Sequence, residues 1–158
     1  MASNPNSVFE ANKRRGFDCL CGNMRMAARA ITTLYDSHLA PAGLTAAELS
    51  VLWCVIAAQP VSMQKIAEFL AMEKSTVTRN VAHLRMRGLL RVVAAGKDAR
   101  MKQVSATRIG QEAFTRALPH WKAAQKAAAT ALGESRFNSL VSGSLRLARA
   151  PKLAAAPY

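Results

Sequence analysis

The chain has 158 residues, which is the size of one domain, and 51% of them are apolar, so it can bury a core without disulfides or a metal. Its 22 lysines and arginines against 9 acids give a formal charge of +13, which indicates a polyanionic partner, either nucleic acid or an anionic membrane surface. No apolar run reaches the ~18 residues that span a bilayer, and the N-terminus lacks the apolar stretch of a secretory signal. We therefore expect a cytoplasmic protein whose three cysteines are reduced thiols.

Apolar residues at three- and four-residue spacings predict a first helix over residues 17–40, ended by Pro41. Thr45 and Glu48 have the spacing of a capping box, which predicts the start of a second helix. Its buried stripe is expected to consist of Leu49, Leu52, Trp53 and Ile56. Ser62 is the expected cap of a short third helix, whose inward-facing residues are predicted to be Ile66, Phe69 and Leu70.

A fourth helix is predicted over residues 74–87 and ends at Gly88. Two short β-prone segments, residues 89–94 and 102–106, follow with a turn of small and charged residues between them. Two further helices complete the pattern, at residues 107–131 and 134–150. The order predicts a mainly α fold with a small β-hairpin wing.

The third helix, the tight turn and the fourth helix form a helix-turn-helix pattern, in which the second helix enters the major groove of DNA. A helical projection gathers Val77, Val81 and Leu84 into one buried stripe. The candidate DNA-binding side chains of this helix are Lys74, Ser75, Thr76, Arg79, Asn80 and His83. Arg79 is expected to contact a base, because its planar guanidinium fits O6 and N7 of guanine. An ordinary solvated face would be equally polar, but residues 75–91 contain no acid.

The predicted hairpin adds a second basic element. Residues 62–108 contain ten lysines and arginines and three acids, so over half of the surplus charge lies in under a third of the chain. Lys97 and Arg100, near the expected wing tip, can straddle a phosphate backbone or enter the minor groove, although Asp98 can instead pair with Arg100. Membrane binding would favour one long basic amphipathic helix. Since the charge is divided between a short helix and a hairpin, we predict double-stranded DNA as the partner.

Short motifs occur in order along the chain: Leu44-Thr45, residues 67–70, residues 74–79, residues 84–90, Asp98-Ala99-Arg100 and residues 107–110. Together they resemble the MarR family of bacterial regulators over about residues 17–150. The resemblance implies a winged helix-turn-helix fold and an obligate homodimer whose N- and C-terminal helices intertwine. It also implies that a small effector or an oxidant tunes DNA affinity. By the same resemblance Ser75, Thr76 and Arg79 are the major-groove residues and Arg100 is the wing residue.

We therefore expect a single domain with a winged lobe at residues 45–108 and dimerisation helices at residues 10–40 and 109–150. The first and last helices independently favour a dimer, because they carry broad apolar faces that a small lobe cannot cover, including Leu140, Val141, Leu145 and Leu147. Packing of these helices within one chain is the alternative.

Catalysis is not expected. The three histidines are scattered, and the chain has no nucleophile motif, no glycine-rich phosphate loop and no cluster of acids. We predict no cofactor and no metal. We predict a sequence-specific DNA-binding repressor. An effector-free architectural DNA binder is the alternative, which a sequence-insensitive DNA affinity would favour.

The predicted signal is a small aromatic or phenolic acid, held between the dimerisation helices and the winged lobe by Arg25, Arg29, Tyr35, His38 and Trp53. Oxidation of Cys21 is the alternative. Cys21 precedes Tyr35 by 14 residues, a spacing that resembles the organic-hydroperoxide branch of the family. That branch has a second tyrosine where this chain has Arg25, so we expect the ligand.

Overall fold

The computed structural model of the protein describes residues 19–95 and 98–150. It contains two units, which are each described by themselves: the first ends at Leu34 and the second begins at Tyr35. Helix α1 (Leu20–Leu39) runs through this boundary. A short 3-10 turn (Ala40–Ala42) and a left-handed Gly43 follow, so the helix ends where the sequence predicts.

The remaining elements, in chain order, are α2 (Ala46–Ala58), β1 (Val61–Ser62), α3 (Met63–Leu70), α4 (Lys74–Met86), β2 (Leu90–Ala95), β3 (Asp98–Ala106), α5 (Arg108–Leu132) and α6 (Glu134–Ala148). The strands form one antiparallel sheet in the order β1-β3-β2. This confirms the predicted winged helix-turn-helix fold. The sequence pattern missed β1, and β2 and β3 extend beyond the predicted apolar segments because Ala95 pairs with Asp98.

Helix starts follow from local capping chemistry. At α2 the predicted capping box is present: the Glu48 backbone N–H donates to Thr45 Oγ1 at 3.2 Å, and the Thr45 N–H donates to Glu48 Oε2 at 2.9 Å. The side chains of Ser62 and Thr107 cap α3 and α5 by accepting backbone N–H groups three residues further on, at 3.2 and 3.0 Å. Thr45 and Ser62 were the caps expected from the sequence, and Thr107 was the expected start of its helix.

The core lies around α2, which is buried on most of its sides and contacts α3, α4, α5 and β3. Helix α4 contributes the predicted stripe of Val77, Val81 and Leu84, which are at most 1% exposed. Burial of such side chains contributes about 1.5–3 kcal/mol each to folding. The stripe therefore fixes which face of α4 is turned outward.

Two predicted core residues are wrong. Phe69 is 71% exposed, because α3 has only eight residues and buries the side that carries Ile66 and Ala67. Trp53 is 39% exposed and does not belong to the buried stripe of α2. Its ring lies at the side of α2 that faces α5, where it packs against other aromatic rings.

No single helix within residues 19–95 and 98–150 is long and apolar enough to cross a membrane. Residues 20–42 and 46–58 have the length and apolar composition of a membrane span only when taken together, as a pair joined by a bend. The second member of that pair is the core helix α2, whose apolar residues are largely buried.

Candidate DNA-binding surface

A tight turn joins α3 to α4. Ala71 adopts a left-handed conformation (φ 50°, ψ 41°), and its N–H donates to the carbonyl oxygens of Ala67 and Glu68 at the end of α3. The Met72 N–H also donates to the Ala67 oxygen, at 2.9 Å. Three residues therefore suffice to redirect the chain into α4, as a helix-turn-helix requires.

The outer face of α4 is polar and basic. Lys74, Ser75, Arg79 and His83 are exposed, whereas Thr76 and Asn80 are half-buried. No acid occurs in the first turn of the helix. Glu73 precedes the helix as its N-cap residue, is exposed and makes no capping hydrogen bond with its side chain.

His83 does not project freely from α4. Its Nδ1 lies 2.6 Å from Oε1 of Glu48, and the Arg87 guanidinium donates to the same oxygen at 3.1 Å. Glu48 is a buried residue, 4% exposed, near the start of α2. Arg87 also donates to the Gly43 carbonyl oxygen at 2.6 Å, so the cluster connects α4 to the segment that precedes α2.

The Glu48 carboxylate is held in its ionised form. Burial by itself raises its pKa. The hydrogen bonds from the Thr45 backbone and the His83 ring, together with the positive charge of Arg87, outweigh burial and leave the pKa below its usual value. Glu48 therefore supplies a negative charge beneath α4.

Sequence reasoning placed Glu48 in the capping box and missed its second role. His83 and Arg87 are four residues apart, a spacing that puts both on one side of a helix. This spacing shows that they can share a partner. Glu48 is 35 residues from His83 along the chain, so only the packing of α2 on α4 shows which partner it is.

The β2–β3 hairpin, which we call the wing, carries further basic residues. Arg91 on β2 and Lys102 on β3 are exposed. Arg100 lies on β3, and Lys97 lies outside the described residues. The pairing is irregular between Ala94 and Ala95, where a register shift separates the regular ladder from the last pair.

The predicted effector residues are divided between the two units. Arg25 and Arg29 are exposed on the part of α1 that belongs to the first unit. In the second unit, His38 is half-buried, and the half-buried Tyr35 donates its hydroxyl to Gln125 Oε1 at 2.6 Å. Burial raises the pKa of Tyr35, so this phenol is neutral at physiological pH.

Trp53 belongs to an aromatic cluster between α2 and α5. Its ring meets Phe114 and Trp121 edge-to-face, with centroid distances of 5.2 Å to each and interplanar angles of 84° and 68°. The chain has two tryptophans, and both lie in this cluster. Intrinsic tryptophan fluorescence therefore reports on this part of the protein alone.

The three cysteines have different environments. Cys19 and Cys21 are exposed, and the Cys19 sulfur accepts the Gly22 N–H at 3.4 Å. Cys54 is buried, and burial raises the pKa of its thiol, which keeps it protonated and unreactive. Within the described residues no group of three or more His, Cys, Asp or Glu side chains is placed to hold a metal ion.

Known proteins resemble the chain in sequence and in fold. The HTH-type transcriptional regulator YwoH of Bacillus subtilis (strain 168) is 30% identical over 95 residues, which are 60% of this chain and 69% of YwoH. The crystal structure of the Mycobacterium tuberculosis transcriptional regulator MosR in complex with DNA is 32% identical, with a TM-score of 0.73, and the match covers 87% of this chain and 99% of MosR. The PcaV transcriptional regulator from Streptomyces coelicolor, crystallised with its natural ligand, has a TM-score of 0.76 over 95% of this chain and 99% of PcaV, but at 19% identity it shows the fold alone.

The winged lobe and the exposed basic face of α4 define a class of protein, the DNA-binding transcriptional regulators with a winged helix-turn-helix. A family model described as the MarR family matches residues 42–101, which extend from the segment before α2 into the wing. The chain belongs to the MarR family.

Proposed function

We propose that the protein is a repressor that binds a pseudo-palindromic operator as a homodimer, with α4 in the major groove and the wing on the flanking backbone. The observation that carries this proposal is the outer face of α4, which exposes Lys74, Ser75, Arg79 and His83 without an acid in its first turn. MosR, which is 32% identical over nearly its whole length, is crystallised on DNA. Repression is proposed because a dimer that covers two half-sites excludes other proteins from that duplex.

The side chains of the surface have separate roles. Arg79 reads a guanine, with Ser75, Thr76 and Asn80 beside it on the groove-facing part of α4. Lys74 at the start of the helix binds phosphate, as do Lys97 and Arg100 of the wing. Base contacts give sequence preference, whereas phosphate contacts give salt-dependent affinity.

Fluorescence anisotropy with labelled duplexes tests these roles. Arg79→Ala is expected to cost about 1–3 kcal/mol of binding free energy and to relax preference at one base of each half-site. Arg100→Ala is expected to weaken binding to every sequence and to reduce the dependence on salt. Arg116→Ala removes an exposed arginine of α5, outside the helix-turn-helix and the wing, and is the matched control. Equal losses for Arg79→Ala on every sequence would show that Arg79 touches only phosphate.

Dimerisation is proposed to use α6 together with α1. Helix α6 has no buried residue within the chain, and its apolar side chains are 38–53% exposed at Leu140, Val141, Leu145 and Leu147. A 15-residue helix gains little stability from its own backbone hydrogen bonds and needs packing on one face. A second copy of the chain supplies that packing in the proposed dimer.

Sedimentation equilibrium tests the dimer. The wild type is expected to be dimeric at micromolar concentration, and a Leu140→Glu/Leu145→Glu variant is expected to be monomeric and to lose operator binding. Ser139→Glu adds a charge at a neighbouring exposed polar position of α6 and is the control. A monomeric wild type would contradict the proposal.

The proposed signal is a small aromatic or phenolic acid, and its proposed contacts in the second unit are Tyr35, His38 and Trp53. Two features support a ligand in the second unit: Trp53 is 39% exposed at the edge of an aromatic cluster, and the Tyr35 hydroxyl, which donates its proton to Gln125, can still accept a hydrogen bond. Such a combination of an apolar surface with few polar groups is typical of small-molecule sites.

Tryptophan fluorescence tests the ligand directly, because Trp53 is itself a proposed contact and the second tryptophan, Trp121, packs against it. Titration with salicylate and related acids is expected to change the emission of the wild type and of a Cys19→Ser/Cys21→Ser variant alike, and to release both from DNA. Exposure of both thiols supports the alternative, an oxidant signal at Cys21. If cumene hydroperoxide releases the wild type from DNA, while the double variant responds to neither compound, the ligand proposal is wrong.

A further inference from the structure

The Glu48 carboxylate has three donors in a buried position. Its Oε2 accepts the Thr45 N–H at 2.9 Å, and its Oε1 accepts from Arg87 at 3.1 Å and contacts His83 Nδ1 at 2.6 Å. The side chain of Glu48 is 5% exposed. Because this carboxylate is ionised and can only accept hydrogen bonds, Nδ1 of His83 must carry the proton.

This contact fixes the orientation of the His83 ring. The His83 side chain is 56% exposed although Nδ1 faces a buried oxygen, so the opposite edge of the ring, with Nε2, is the exposed one. His83 lies one turn beyond Arg79 and two turns beyond Ser75 along α4. The outward nitrogen is therefore presented beside the side chains proposed to contact DNA.

We propose that Glu48 is a positioning residue for DNA binding, which holds His83 by Nδ1 so that Nε2–H of the protonated ring donates to a phosphate oxygen. This inference rests on the proposed role of α4 in binding DNA. A phosphate oxygen only accepts hydrogen bonds, so the contact requires protons on both ring nitrogens. Two charged groups share this cluster with the ring, Glu48 from α2 and Arg87 after α4, and the second donor group of Arg87 is held by the Gly43 carbonyl.

The orientation is tested in the free protein by long-range ¹H–¹⁵N correlation spectra of the histidine rings. His83 is assigned by the signal that disappears in His83→Gln. At a pH where the ring is neutral, we expect the ring proton to lie on Nδ1 in the wild type. In Glu48→Gln we expect this preference for Nδ1 to be lost. A proton on Nε2 in the wild type would overturn the positioning role whether or not the protein binds DNA.

The role in binding is tested by anisotropy with a fluorescein-labelled mixed-sequence duplex, since phosphate contacts do not depend on sequence. Glu48→Gln is expected to weaken binding roughly five- to tenfold, and its effect is expected to vanish in a His83→Gln background. His120→Gln replaces a histidine of α5 and is the control, which is expected to bind as the wild type does.

Thr45→Ala separates positioning from stability, because it removes the capping hydroxyl and leaves the contact of Glu48 with His83 in place. It is expected to lower the urea midpoint of unfolding without changing DNA affinity under conditions in which the protein is folded. An equal loss for Glu48→Gln with and without His83 would show a structural role only and overturn the proposal. If the wild type binds no duplex, the proposed function fails and this inference fails with it, while the ring spectra still show whether Glu48 orients His83.

Discussion

Replacement of Gly110 by alanine tests how the wing is joined to α5. A Cβ at this position would lie 2.0 Å from the Leu89 carbonyl oxygen and 3.0 Å from the Leu89 carbonyl carbon. The oxygen would have to retreat by about 1 Å to reach even the shortest contact that a real Cβ makes. It cannot do so freely, because it accepts hydrogen bonds from the backbone N–H and hydroxyl of Thr107, at 3.0 and 3.2 Å.

The expected cost follows from these contacts. Two weakened hydrogen bonds contribute about 1 kcal/mol each and overpacking about 1–3 kcal/mol, against a gain of up to about 1 kcal/mol from helix propensity. We therefore expect Gly110→Ala to lower the free energy of unfolding by about 2–4 kcal/mol, measured from the urea midpoint at unchanged slope. Gly143 in α6 is the control, since a Cβ there meets nothing within 4 Å and Gly143→Ala should be neutral or stabilising. A Gly110→Ala protein as stable as the wild type would refute the reasoning.

Three further predictions concern stability. Ala71→Gly is expected to raise the urea midpoint by the equivalent of about 1 kcal/mol, because a left-handed conformation costs an L-residue about 1–2 kcal/mol and glycine almost nothing. Folding lowers the pKa of Glu48, so the ionised carboxylate stabilises the fold fully above its ordinary pKa of 4.5. This stabilisation is lost as the pH falls through the lower folded-state pKa. The difference in free energy of unfolding between the wild type and Glu48→Gln should therefore shrink in acid. Leu52→Ala, at a side chain that is 0% exposed, should cost about 2–5 kcal/mol, whereas Phe69→Ala, at 71% exposure, should change stability by less than about 0.5 kcal/mol in thermal melts.

Local chemistry explains the part of the fold that the sequence predicts. Thr45, Ser62 and Thr107 each have a side-chain oxygen that accepts a backbone N–H three residues on, and these contacts set the helix starts. The stripe of α4 could be placed because its apolar residues repeat with the period of a helix. Both features depend on residues within a few positions of each other, so a single sequence contains all the information they require.

Features that depend on contacts between distant segments could not be predicted in the same way. The inward side of α3 was misassigned at Phe69, because five apolar residues spread over an eight-residue helix do not define which side faces the core. Strand β1 has two residues, too few for any alternation to appear, and it exists only because Val61 pairs with Val104. The contact of Glu48 with His83 likewise arises from the packing of α2 on α4.

Selection of duplexes from a random-sequence pool tests the central claim most directly, that two copies of the chain read DNA through α4. The purified protein is expected to enrich an inverted repeat whose half-sites lie about one helical turn, or 10 base pairs, apart, because two-fold symmetric proteins of this class present their recognition helices at that spacing. Arg79→Ala is expected to enrich the same repeat with one position of each half-site relaxed. Enrichment of a single unrepeated site would contradict the symmetric dimer, and a pool that binds without any enrichment would contradict sequence-specific recognition itself.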